Sequence, residues 1–221
     1  DAQQDKARIA KGKSLSDQVQ SRLGGSPVGI WRFNEGSGST VRDDSGNGNN
    51  GTLMGPAWVT SESQCMFSLC LDFDGINDYI DLSGTSLNSY SYGEFTITAW
   101  YQSANTSIIE DGNIWFHEDN LVGQEEIEFG PTDDPGYVDQ LRFRIKRDEI
   151  GANYYGTSDI VDKRWHHLVG VRTNTRIQIY VDGVLESDIA DSQAGLTINV
   201  NDAPIKGPHI ADDAGNKEQV H

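Results

Sequence analysis

Trp165–Leu185 reads WHHLVGVRTNTRIQIYVDGVL, and its periodicity decides the fold class. Leu168–Val171 is a β-rich run and Thr173-Asn174-Thr175 turns it. Ile177, Ile179 and Val181 then point to one side before Asp182-Gly183 turns the chain again. Three antiparallel strands in succession are expected here. Upstream, Leu141-Arg142-Phe143-Arg144-Ile145 alternates cleanly and gives one basic strip. Phe95, Ile97, Ala99 and Tyr101 alternate with Thr96, Thr98 and Trp100 in what reads as a central strand.

Further out, Leu69–Leu82, LCLDFDGINDYIDL, predicts strands at Leu71–Phe73 and Tyr79–Leu82, each burying one face and offering carboxylates on the other. Asp74, Asn77 and Asp78 in the turn between them form either a polar turn around Gly75 or part of a calcium shell. A strand is expected at Gly29–Asn34. After it, Asp43, Ser45 and Asn47-Gly48 follow the first half of an EF-hand loop, but Met54 stands where the bidentate Glu belongs. Asp43 and Asn47 are therefore either ligands to an ion completed elsewhere or an Asx turn. Ile108–Asn120 reads as a hairpin turning at Asp111-Gly112. Leu121–Tyr137 is acidic and weakly patterned, with Pro131, Asp133, Asp134, Pro135 and Gly136 marking a loop.

The one helix expected is Asp5–Leu23, with Ala7, Ile9, Ala10, Leu15, Val19 and Leu23 as a thin apolar stripe, stopped by Gly24-Gly25. Such a helix must pack on the domain or on another chain. The composition changes at Ser26-Pro27, which divides a stem or linker at 1–25 from a single domain at 26–221. The 221 residues, 24 glycines and 36% hydrophobic content fit one large all-β domain. Beyond Ile210 only the acidic loop Asp212–Asn216 is legible, and the chain stops without a closing strand.

The formal charge is −17, and from Gly25 onward twelve bases face thirty-one acids, a net −19. That surface repels phosphate backbones, which excludes nucleic acid as a partner and favours cations. Cys65 and Cys70 are too sparse for a zinc site. A local disulfide, with an oxidising compartment, is preferred to two free thiols. No apolar run approaches the ~18 residues of a membrane span. A membrane connection or a targeting segment would have to lie outside these residues.

Four stretches in order, GIWRFNEGSGSTVRDDSGNGNNGTL, LDFDGINDYIDL, EFTITAWY, and RWHHLVGVR followed by IQIYVDGVL, resemble the laminin-G-like, pentraxin-like branch of the concanavalin A-type lectins, from about Val28 to Ile210. The resemblance implies a two-sheet antiparallel jelly-roll sandwich lacking its last strand. It also implies an extracellular or cell-surface module that binds a polysaccharide or glycoprotein at rim loops or on the concave sheet, often with calcium. Transferred by position, the family's calcium ligands would be Asp212 and Asp213, with Asp111 or Asn113 opposite. Trp115, His117, Tyr154 and Tyr155 lie in or beside predicted loops, where their rings could stack on sugars. DKARIAKGKSLSDQVQSRLG resembles the exposed half of a type IV pilin or pseudopilin helix, which implies a homopolymer built through it.

The same jelly roll carries glycoside hydrolases, which need two carboxylates at alternating strand positions. Glu126-x-Glu128 meets that spacing, but Gly130 and Pro131 stand where the hydrolase motif places a further acid. His166 and His167 are adjacent, so they point to opposite faces. The expectation is a non-catalytic lectin-like module, with a glycan-free filament subunit as the alternative.

Overall fold

The computed structural model describes residues 2–22, 27–61, 63–74, 77–89, 91–103, 112–118, 125–147, 150–199, 206–207, 209–210 and 218–220. Helix α1 (Ala2–Arg22) is followed by β1 (Thr40–Val41), β2 (Gly51–Met54), β3 (Ala57–Val59), β4 (Cys70–Phe73), β5 (Tyr79–Asp81), β6 (Ser91–Tyr92), β7 (Phe95–Ser103), β8 (Gly112–Asn113), β9 (Trp115–Glu118), β10 (Glu126–Thr132), β11 (Gln140–Arg147), β12 (Ile150–Asp159), β13 (His166–Arg172), β14 (Arg176–Val181), β15 (Val184–Ala190), β16 (Ile198–Asn199), β17 (Lys206–Gly207), β18 (His209–Ile210) and β19 (Glu218–Val220). One sheet has the order β1-β2-β5-β17-β9-β10-β11-β12 and the other β15-β14-β13-β7-β19-β4-β3. Two short ladders, β16-β6 and β18-β8, lie beside them.

The expected run of three strands is β13, β14 and β15, each antiparallel to the next. Asp182 and Gly183 both have positive φ, 52° and 75°, which lets a two-residue turn follow the twist of its strands. Alternation on these strands and on β4, β7, β10 and β11 fills the space between the sheets with Phe73, Tyr101, Phe129, Leu141, Phe143, Ile145, Leu168, Ile177 and Ile179, all fully buried. Gly170 lies beneath two rings: a Cβ there would stand 2.9 Å from Phe129 and 3.0 Å from Phe143. Those rings meet edge to face at 5.9 Å. Arg172, also buried, is held by Asp191 at 2.9 Å and by the carbonyls of Tyr92 and Gln193.

Several expectations change. The strands of LCLDFDGINDYIDL form, but β4 and β5 belong to different sheets, so their turn crosses the sandwich. Gly29–Asn34 makes only a single bridge, Trp31 to Asp43, because the Ile30 amide is taken by the Asp43 carboxylate rather than by a neighbouring strand. QEEIEFG is no loop: β10 runs Glu126–Thr132 and pairs with both β9 and β11. The hairpin tip at Asp111 lies outside the described residues, and Gly112 and Asn113 pair with β18. The missing closing strand is present as β19, inserted between β4 and β7. It escapes a periodicity reading because only three residues pair.

Helix α1 lies on the outer face of the second sheet. It makes contact there through Ile9 of the expected stripe together with Arg8 and Gly12, while Ala7 and Ala10 of that stripe are exposed. Arg8 donates to Asp182 at 2.8 Å and to the Trp165 carbonyl, and a Cβ on Gly12 would stand 2.7 Å from His167 Cβ. The absent side chain is what allows this approach. Ile9 joins Trp100, Trp165 and the bridged pair Cys65–Cys70 in a second, smaller core.

Candidate functional site

Strands β10, β11 and β12 bury one set of side chains and present the other as a polar face on the first sheet. Ile127 and Phe129 on β10, and Leu141, Phe143 and Ile145 on β11, turn to the core, so Glu126 and Glu128 share the opposite face with Arg142, Arg144 and Lys146. Register sets Glu128 against Arg144 and Glu126 against Lys146. On the other side of β11 it sets Tyr155 against Arg142 and Asn153 against Arg144.

These groups bond diagonally into one network. Arg142 Nη2 donates to Glu128, and Nη1 lies 3.4 Å from Asp134 Oδ2. Arg144 donates to Glu126 at 3.1 Å and to Asn153 at 2.9 Å, while Lys146 stands 3.9 Å from Glu126. Asp134 Oδ2 also accepts the Tyr155 hydroxyl at 2.8 Å. The basic strip expected within Leu141–Ile145 is therefore matched by carboxylates. Burial, reinforced by the hydrogen bond to Glu126, pushes Glu128 up to about 8 against the pull of Arg142. At Asp134 burial acts upward, but the Tyr155 hydroxyl and the Arg142 charge hold the carboxyl below its usual range.

One local turn completes the site. Asp134-Pro135-Gly136-Tyr137 closes with Tyr137 N donating to Asp134 O at 2.8 Å, and Gly136 has φ of 91°, the conformation a type II turn requires after proline. The turn lays Tyr137 flat on Tyr155, with ring centroids 3.8 Å apart and planes 7° from parallel. Tyr137 stays 43% exposed, and Tyr155 beneath it is bonded to Asp134, which Asn153 and Arg144 join in one network. The result is a braced aromatic shelf rimmed by donors and acceptors.

The candidate ligand residues separate. Tyr155 is in the site. Tyr154, its neighbour on the other face, is buried and lies within hydrogen-bonding distance of Asp191 and Ser192. Trp115 packs on the core with Trp31 at 6.0 Å. The sequence places both in or beside loops, yet they stand on strands whose alternation turns them inward. His117 pairs with Ile127 in register, and its side chain lies outside the described residues. Sequence reading missed Tyr137, Asp134 and Asn153, although the Asp-Pro-Gly signal of the turn was visible. The pairing of Arg142 with Tyr155 has no local signal.

Among the described residues, the candidate metal ligands serve local turn bonds. Asp43 is occupied by backbone donors, Ile30 and Ser45 on Oδ1 and Asn49 on Oδ2, at 2.8–2.9 Å, and Asn47 donates to the carbonyls of Pro27 and Val28. This is the Asx-turn alternative. Asp78 accepts the Asp74 amide at 2.9 Å, and Asp74 accepts that of Asn77 at 3.3 Å, again local turn bonds. Asp111, Asp212 and Asp213 lie outside the described residues. Among the described residues no three acidic, histidine or cysteine side chains are grouped to hold a metal, so these do not fit a calcium shell.

Of the two positions at which the hydrolase motif places its further acid, 130 has no room for a side chain and 131 is a proline. Gly130 is next after Glu128 on the polar face, and a Cβ there would fall 1.9 Å from the Gly112 carbonyl oxygen. His166 and His167 do face opposite ways. His166 is clamped between Asp182 at 2.8 Å and Asp162 at 3.0 Å, and His167 lies under α1.

Comparison with known proteins bears on the fold. The binding domain of Paraclostridial Mosquitocidal Protein 1 superposes with a TM-score of 0.63 at 13% identity, over 87% of this chain and 46% of that one. Botulinum neurotoxin type C, whose cell entry is described as dependent on interaction with two ganglioside molecules, superposes at 0.58 with 16% identity, over 87% and 45%. The binding domain of botulinum neurotoxin DC in complex with rat synaptotagmin II gives 0.59, 12%, 88% and 46%. At these identities the likeness is one of fold, and the chain spans a little under half the length of each structure. No curated protein matches in sequence. The family described as the concanavalin A-like lectin/glucanases superfamily matches residues 74–219, two thirds of the chain, and the protein belongs to it.

Proposed function

We propose that this domain is a non-catalytic, extracellular glycan-binding module whose ligand stacks on Tyr137. The observation that carries the reading is the Tyr137–Tyr155 shelf, an exposed ring held flat from beneath and rimmed by Asp134, Asn153 and Arg144. An apolar ring face with hydrogen-bonding groups at its edge suits a pyranose, which presents C–H bonds on its face and hydroxyls around its rim. The ganglioside and synaptotagmin interactions of the neurotoxins, and the disulfide with the oxidising compartment it implies, are consistent with a surface ligand. Gly130 leaves no room for a third acid beside Glu126 and Glu128, and this supports a binding rather than a hydrolytic role. A filament assembled through α1 has no comparable support, because Arg8 and Gly12 already serve contacts within the domain.

The test is a panel of immobilised neutral and acidic polysaccharides and glycoprotein glycans, with reducing-end release followed on each. Retention on at least one class without release of new reducing ends is expected. Release that is lost in Glu126→Gln would replace the reading with hydrolysis. Calcium is a separate proposal that rests on Asp111, Asp212 and Asp213. A rise in thermal midpoint with calcium over chelator supports it, and equal midpoints end it.

A further inference from the structure

A line of polar contacts runs unbroken from a buried carboxyl pair to the exposed ring. Glu128 meets Arg142, Arg142 reaches Asp134, and Asp134 holds the hydroxyl of Tyr155, on which Tyr137 lies. Arg142 is only 5% exposed, so its charge is weakly screened and is divided between two carboxylates, one of which fixes the shelf. We propose that Glu128 is a protonation-linked positioning residue for the Tyr137–Tyr155 shelf: protonated, it leaves Arg142 to Asp134 and the ordered tyrosines, and ionised, it draws Arg142 away and weakens ligand binding. The proposal rests on the glycan-binding reading and adds its regulation.

The groups facing Glu128 come from every neighbouring element. Glu126, two residues back on the same face, raises its pKa. Strand β11 supplies Arg142 and Arg144, with Lys146 beyond Glu126. Asp134 lies on the far side of Arg142, and Asn153 from β12 joins Arg144 to Asp134. Strand β9 sets Phe116 opposite Glu128 and Glu118 opposite Glu126 in register. With one proton between them, Glu126 and Glu128 carry a single negative charge. When that proton passes to solvent they carry two, and Arg142 is the cation in contact with the new one. Burial and Glu126 put this loss at about pH 8, below the tyrosine titration, since burial and Asp134 push Tyr155 above its ordinary 10.

The experiment measures affinity for the best-retained glycan from pH 6 to 9, together with the ring NMR signals of Tyr137 and Tyr155 without ligand. Wild-type affinity is expected to fall about fivefold between pH 7 and 9, as a free pKa of about 8 and a one-unit difference between free and liganded pKa require, with the ring signals following the same proton. Glu128→Gln holds the low-pH affinity throughout and its ring signals stay still. Glu126→Gln moves the midpoint down by about one unit or more, and serves if Glu128→Gln does not fold. A Glu128→Gln protein that titrates like wild type overturns the proposal, as do flat rings with flat affinity in wild type. Rings that titrate in a protein that binds no glycan leave the relay standing and remove the binding reading.

Discussion

Lowering the pH from 7 to 5 should cost the domain about 2 kcal/mol through His167 alone. The imidazole is fully buried between Gly12 of α1 and Trp100, whose ring centroid is 4.9 Å away, and its Nε2 lies 2.9 Å from Thr98 Oγ1. Burial pushes it down to about 4, against the opposing charge of Asp182. An unfolded histidine titrates near 6.5, so between roughly pH 6.5 and 4 the unfolded chain takes up a proton that the folded site refuses. The contribution is complete above 6.5, reduced by about 2 kcal/mol at pH 5, and about 3 kcal/mol down by pH 4. Glu128 acts in the opposite sense: its raised folded pKa adds stability as pH falls from 8 toward the ordinary carboxyl value of 4.5. The total stability curve therefore cannot isolate His167, and the comparison must be with His167→Gln, which keeps an amide toward Thr98 and has nothing to titrate. Urea unfolding of both proteins at pH 7, 6 and 5 is the assay. The variant should start less stable, and the gap should close by about 2 kcal/mol at pH 5. Curves that stay parallel within roughly 0.5 kcal/mol would refute the assignment.

Arg172→Met strands Asp191 inside the sandwich, and a loss of about 3–5 kcal/mol is expected in urea, with a melting temperature lower by roughly 10 °C. Cys65→Ala with Cys70→Ala opens a bridge of sequence separation 5 and should cost about 2 kcal/mol, read as a shift in the urea midpoint against the unreduced wild type. Gly12→Val places a side chain where 2.7 Å is available to His167 Cβ. It should lower stability by about 1–3 kcal/mol and speed amide exchange in α1, while a wild-type exchange pattern would contradict the seat described for the helix.

What could be read from the sequence was whatever repeats at short range. The alternation of Leu141–Ile145, Phe95–Tyr101 and Ile177–Val181 fixed core faces that the structure keeps, and four ordered motifs carried the jelly roll. Misreadings came where pairing is distant or brief. β19 is three residues long and finds its partners more than a hundred residues away. Gly29–Asn34 has strand-like residues, but the Ile30 amide goes to the Asp43 carboxylate and only one bridge forms. Trp115 and Tyr154 read as aromatics in or beside loops, yet they stand on strands whose alternation turns both inward. The site depends on the same kind of information. Glu126, Glu128, Arg142, Arg144 and Tyr155 were each visible as residues, but only register brings three strands and the Asp134–Tyr137 turn together.

The most direct test of the account is the affinity of the best-retained glycan for Tyr137→Ala, measured by calorimetry beside the wild type at equal thermal stability. Tyr137 packs only on Tyr155 among the described ring contacts, so its removal should leave the fold intact. Loss of about 2 kcal/mol of binding, roughly thirtyfold in Kd, is predicted, because the ring is the surface on which the sugar rests. Unchanged affinity in a folded Tyr137→Ala protein would place the ligand elsewhere on the domain and contradict the site.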